Sequence, residues 1–226
     1  MKKVVRFFAI AALAFGMTNL VACGGDEEEG NGNGNNNTEV VNPNNLPTSL
    51  TEDFTNGVPT GWENIDADGD GFAWQDWLYD QYGGIMQGDG VIMSASYLNT
   101  IKELTPDNYL VTPKLWIEDG AKISYEVGAV DASFYNDHYA VLVGTVENGV
   151  FVSKGTIVEE DVPSPNTTTR SFDLSQYKGQ ELSIAFRHFD CTDVYIMTID
   201  NVKIGKDVAK GAAADVNFPA KAMKLK

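Results

Sequence analysis

Apolar and polar positions alternate with a period of two along Lys122–Val127, placing Ile123, Tyr125 and Val127 on one face. Glu181–His188 repeats the pattern, with Leu182, Ile184 and Phe186 inward. Tyr139–Val143 and Tyr195–Ile199 are nearly continuous apolar runs, as expected of strands covered on both faces or of core strands in a sandwich. Turn-forming clusters separate these segments: Asn56–Gly57, Asp68–Gly71, Gly83–Gly84, Asp119–Gly120, Asn148–Gly149 and Lys178–Gly179. No stretch before the C-terminal tail sustains a period of 3.6. Short strands divided by such turns predict an all-β sandwich.

The N-terminus carries a different signal. Lys2, Lys3 and Arg6 precede an apolar stretch, Phe7–Phe15, so Met1–Ala22 reads as an export signal. That stretch is shorter than the roughly 20 residues a membrane-spanning helix needs. Leu20-Val21-Ala22-Cys23, followed by two glycines, matches the lipobox of bacterial lipoproteins and makes Cys23 the lipidated first residue of the mature chain. Residues 23–47 then form an acidic, Asn- and Gly-rich tether with too few apolar side chains to offset its ordering entropy. The formal charge is −16, and removing Met1–Ala22, which holds three basic residues and no acid, leaves −19. Such a chain repels nucleic acid and anionic membrane surfaces, so membrane contact is expected through the lipid anchor only. With Cys23 lipidated, Cys191 has no disulfide partner and reads as a small buried hydrophobe.

Four ordered blocks carry a resemblance. Glu52–Trp74 reads EDFTNGVPTGWENIDADGDGFAW, Leu104–Pro113 reads LTPDNYLVTP, His138–Val141 reads HYAV, and Arg187–Ile204 reads RHFDCTDVYIMTIDNVKI. Together they resemble the cleaved-adhesin domains of the gingipain and haemagglutinin proteins, a domain type also called choice-of-anchor J. The resemblance implies a jelly-roll β-sandwich over residues 48–205, bound to calcium and adhering to a host protein or a polysaccharide. It leaves residues 206–226 as a tail of unassigned role. With the lipobox and the acidic run Asp26–Glu29, it implies an outer-membrane lipoprotein facing the cell surface.

Two acidic groups are candidate calcium ligands. Asp66, Asp68 and Asp70 stand at alternate positions in D-A-D-G-D-G, where glycines permit the tight curvature that lets oxygens converge on a hard ion. The twelfth position is Trp77 rather than a bidentate Glu, so the loop is not an EF-hand. Its other reading is a fixed turn before Trp74, a core residue. Jelly-roll binding modules commonly clamp a structural calcium between their first and last strands, and Glu52 and Asp200 occupy those positions here. Asp53 or Asn56 would add oxygens toward a shell of about six to eight. Against this, Asp200 reads as a strand-edge carboxylate accepting a neighbouring amide. Asp131, Asp137 and His138 form a third, weaker group. His138 and His188 lack zinc-ligand spacing and read as structural.

Trp77, Tyr79 and Tyr82 lie beyond the family block in a Gly-bounded segment, interleaved with Asp and Gln. Flat aromatic faces beside amides and carboxylates suit sugar rings, and equally suit protein interfaces. Trp77 and Tyr79, two residues apart, also fit as sandwich filling. There is no G-x-S-x-G, H-E-x-x-H or P-loop motif, so catalysis is not expected. Two further readings remain beside the host-protein adhesin: a glycan-binding accessory module, and a structural subunit of a surface complex.

Overall fold

A computed structural model describes residues 41–79, 85–87 and 90–208, with backbone alone for Leu78, Tyr79 and residues 85–87. The export signal, Cys23, most of the tether, Tyr82 and residues 209–226 lie outside the described residues. Early strands are β1 (Leu50–Glu52), β2 (Glu63–Asp66), β3 (Trp77–Tyr79), β4 (Ile85–Gln87) and β5 (Ile92–Ala95). Then come β6 (Tyr97–Leu98), β7 (Lys102–Glu103), β8 (Asp107–Val111), β9 (Leu115–Trp116) and β10 (Lys122–Ala129). The last are β11 (His138–Glu147), β12 (Val150–Asp161), β13 (Thr168–Asp173), β14 (Glu181–Phe189) and β15 (Ile196–Gly205). One 3₁₀ turn, Ser175–Tyr177, precedes β14. No helix among the described residues is long and apolar enough to cross a membrane.

These strands build two antiparallel sheets. In the first, β1, β15, β10 and β13 lie in that order, and β5 joins β15 beyond β1. The second runs β12-β11-β14-β8-β2, with β9 on the start of β14. The two-strand ribbons β3–β4 and β6–β7 are separate from both. The alternation in the sequence places the core: Ile123, Tyr125 and Val127 of the first sheet meet Leu182, Ile184 and Phe186 of the second. Tyr125 packs edge-on against Phe186 at 5.1 Å, and the hydroxyls of Tyr125 and Tyr139 are 3.0 Å apart. Tyr139 Oη donates to Glu160, which Arg170 holds in turn, so the polar tips of both buried tyrosines are satisfied. The fold is a jelly-roll β-sandwich, as the pattern and resemblance predicted.

The outer face of the second sheet carries its own apolar cluster of Val111, Ala140, Leu142, Phe151 and Ala185. The β11–β12 hairpin closes through Asn148 and Gly149, both at positive φ, as a two-residue turn between twisted strands requires. Two bulges then let β12 cross close over β11. A Cβ on Gly144 would lie 2.2 Å from the Val152 carbonyl oxygen and 2.7 Å from the Phe151 ring. Only glycine fits there.

Candidate functional site

The Asp66–Gly71 loop leaves the end of β2 and curls back on itself. Asp66 accepts the amides of Gly69 and Gly71, each at 2.8 Å, and Asp70 accepts that of Phe72 at 2.7 Å. Gly69 and Gly71 take φ of +75° and +86°, which L side chains rarely adopt. The result brings oxygens of Asp66, Asp68 and Asp70 within 4.8 Å of one another. Three carboxylates this close resist full ionisation. Partial burial, the hydrogen bond to Asp66 and the charges of Asp70 and Asp66 push the Asp68 carboxyl up to about 6. Burial pulls Asp66 the same way, but its hydrogen bonds from Asp68, Gly71 and Gly69 outweigh that and hold it below the ordinary range. An all-oxygen cluster gathered this closely has donor chemistry suited to calcium.

Glu52 and Asp200 come from neighbouring strands. Glu52 ends β1 opposite Val202, two residues along β15 from Asp200. Asp200 faces Glu126 across a bulge where Asn201 takes a φ of +49°. Each acid also has a local partner. Glu52 accepts the Phe54 amide at 3.1 Å, Asp53 accepts that of Thr55 at 3.1 Å, and Asp200 accepts the Asn201 amide at 2.6 Å. Asn201 Nδ2 donates to both Glu126 and Asp200, drawing the two carboxylates together. The donors are hard oxygens of the kind calcium takes, but Glu52, Asp53 and Asp200 do not gather within 4.8 Å as the Asp66, Asp68 and Asp70 oxygens do. Asp200 also makes the backbone bond of the alternative reading.

Asp131, Asp137 and His138 do not converge. Asp131 caps a turn by accepting the Ser133 amide, and His138 contacts Asp161 on the sheet surface. Asp137 instead turns inward, where it is fully buried with His188 and beside half-buried Cys191. His188 is the buried, hydrogen-bonded core residue expected, and Cys191, half-buried rather than fully buried, lies in polar company. Its Sγ lies 3.1 Å from His188 Nε2, and burial pushes the thiol up to about 12. These residues are 51 and three positions apart in sequence, so spacing could not reveal them. The pairing of Tyr139 with His188 brings them together.

At the surface, Trp77 is 42 % exposed on the β3–β4 ribbon, opposite Gln87, and does not fill the sandwich. Tyr79 follows two residues on, opposite Ile85, and Tyr82 lies outside the described residues. A second aromatic group lies elsewhere. On the outer face of the second sheet, Arg187 lies 4.0 Å over Phe189 and 5.0 Å over Tyr109, and its Nε donates to Asp107. The Tyr109 and Phe151 rings are 5.9 Å apart. The available signal was that Arg187 and Phe189 fall out of phase with inward Leu182, Ile184 and Phe186.

Residues 47–204 match the Cleaved Adhesin Domain family. Gingipain R1 of Porphyromonas gingivalis is 34 % identical over 180 residues, covering 74 % of this chain and 10 % of the relative. Hemagglutinin A of the same species is 35 % identical over 190 residues, covering 77 % of this chain and 9 % of the relative. The chain thus spans about a tenth of the length of these relatives. A crystal structure of a cleaved adhesin domain of Lys-gingipain from Porphyromonas gingivalis superposes with a TM-score of 0.57 at 33 % identity. It covers 70 % of this chain and 97 % of that one. Fold, length of match and identity agree: the chain belongs to the cleaved adhesin domain family.

Proposed function

We propose that this chain is a non-catalytic adhesion module, displayed at the cell surface on a lipid anchor at Cys23 and a flexible tether. The observation that carries this reading is the family match over residues 47–204. Its ligand is a host protein or another cell-surface molecule. Calcium is held by Asp66, Asp68 and Asp70, and by Glu52, Asp53 and Asp200 where the first and last strands meet. When bound, the ion supplies positive charge that offsets carboxylate repulsion. The residues themselves curve the Asp66 loop and stand where β1 pairs with β15.

Carbohydrate binding is the second reading, favoured by the exposed Trp77 ring and by the Tyr109–Arg187–Phe189 face. The full chain, probed against immobilised glycans and host matrix proteins, separates the two. Binding to matrix proteins that survives Trp77→Ala and Tyr109→Ala supports the host-protein adhesin. Glycan binding lost in either variant, with the melting temperature held, supports the second reading. A folded chain that binds neither class contradicts adhesion and favours a subunit of a surface assembly.

A further inference from the structure

We propose that Asp137, His188 and Cys191 form a binding site for a borderline-soft divalent metal ion of the zinc class, separate from the all-oxygen calcium groups. The three donors are a carboxylate, an imidazole and a thiol, a ligand set that suits zinc and is unsuited to calcium. His188 Nε2 lies 3.3 Å from Asp137 Oδ1 and 3.1 Å from Cys191 Sγ, and the sulfur lies 3.6 Å from the same carboxylate oxygen. Tetrahedral zinc with N and O near 2.0–2.1 Å and S near 2.3 Å sets its donor atoms about 3.3–3.6 Å apart. Two of the three separations already match, and the third needs a few tenths of an ångström.

The surroundings are those of a site rather than of an incidental contact. Imidazoles that ligate metals engage their second nitrogen elsewhere, and His188 Nδ1 lies 2.7 Å from Ser94 Oγ. Asn108 Nδ2 holds that serine and the Phe72 carbonyl, each at 3.2 Å. Ser96 Oγ donates to Asp137 Oδ1 at 2.5 Å, which fixes the carboxylate. Ser94 lies on β5 of one sheet and His188 on β14 of the other, so the ring is oriented from across the sandwich. The other carboxylate oxygen, Asp137 Oδ2, is buried with no hydrogen-bond partner. A fully buried carboxylate with one idle oxygen is costly unless a cation neutralises it. Cys191 is half-buried, whereas Asp137 and His188 are fully buried.

The test uses the full chain carrying Cys23→Ser, so that Cys191 is the sole thiol, with excess calcium present to fill oxygen sites. Titration with cobalt is expected to give thiolate-to-metal charge-transfer absorption that saturates at one equivalent and that zinc displaces. Adding Cys191→Ser removes the absorption. His188→Gln and Asp137→Asn weaken cobalt binding at least tenfold, as read by competition with a chelator. If those buried substitutions unfold the chain, the parent protein and the Cys191→Ser variant still decide the matter. No charge-transfer band from a folded parent, or displacement of the band by calcium, would overturn the proposal and leave a buried hydrogen-bonded network only.

Discussion

Asp68 is the residue whose ionisation reports most directly on the Asp66–Gly71 loop, the proposed calcium site. Its carboxyl is raised from 3.8 to about 6, so the folded state keeps a proton that the unfolded chain would release. Without metal, stability is therefore expected to fall as pH rises from about 4 through about 6, and the Asp68→Asn chain should lose that dependence. Calcium affinity should weaken as pH falls through the same range, because the proton competes for the oxygen. Thermal melts with chelator and with calcium, read from pH 4 to 7 on the wild-type and Asp68→Asn chains, check both. This loop was legible because its three acids fall at alternate positions within five residues. The Asp137–His188–Cys191 group was not, because only strand pairing brings its members together. The sequence singles out Asp137 only in a group with Asp131 and His138, and sets His188 three residues from Cys191 in the RHFDC block without linking the two sites. Gly144 makes a second residue-scale test. Gly144→Ala drives a methyl into the Val152 carbonyl, and overpacking of this kind costs about 1–3 kcal/mol in chemical denaturation.

Among the elements, β10 and β14 were readable in advance because each has one face in the core, which writes a period of two into the sequence. Removing the Phe186 ring, which packs on Tyr125 between the sheets, should cost about 3–5 kcal/mol, measurable by urea unfolding. The β3–β4 ribbon was not readable as a separate element. Its short strands pair only with each other, so no core face imposes a pattern on them. Trp77 consequently stays 42 % exposed, and Trp77→Ala should cost less stability than truncating the fully buried Phe186, as read by the same urea unfolding. The continuous apolar run of β11 had one reading as a strand covered on both faces, but the aromatic group of Tyr109, Arg187 and Phe189 on the outer face was not legible. That face buries a smaller apolar cluster, so both faces of β11 are apolar and the periodicity is lost. At the junction of β1 with β15, calcium should raise the melting temperature, and Asp200→Ala should reduce that rise. For scale, an ion at a hundred times its Kd stabilises by about 2.7 kcal/mol. An unchanged rise in the variant would remove Asp200 from the ligand set.

At the scale of the whole molecule, the described residues build one sandwich carrying aromatic groups on a ribbon and on a sheet face, with acidic loops at its edges. The family match joins these features to adhesion, and the strong negative charge argues against nucleic acid as partner. Fold class could be read from strand pattern and motifs together, because a jelly-roll is specified by many weak local signals that agree. Ligand identity could not, since it depends on which exposed groups a partner touches. The decisive measurement is binding of the full chain to a mixed array of glycans and host matrix proteins, once in calcium and once in chelator. The account predicts saturable binding to a defined ligand that weakens in chelator. A folded, calcium-loaded chain that binds nothing on the array would contradict it.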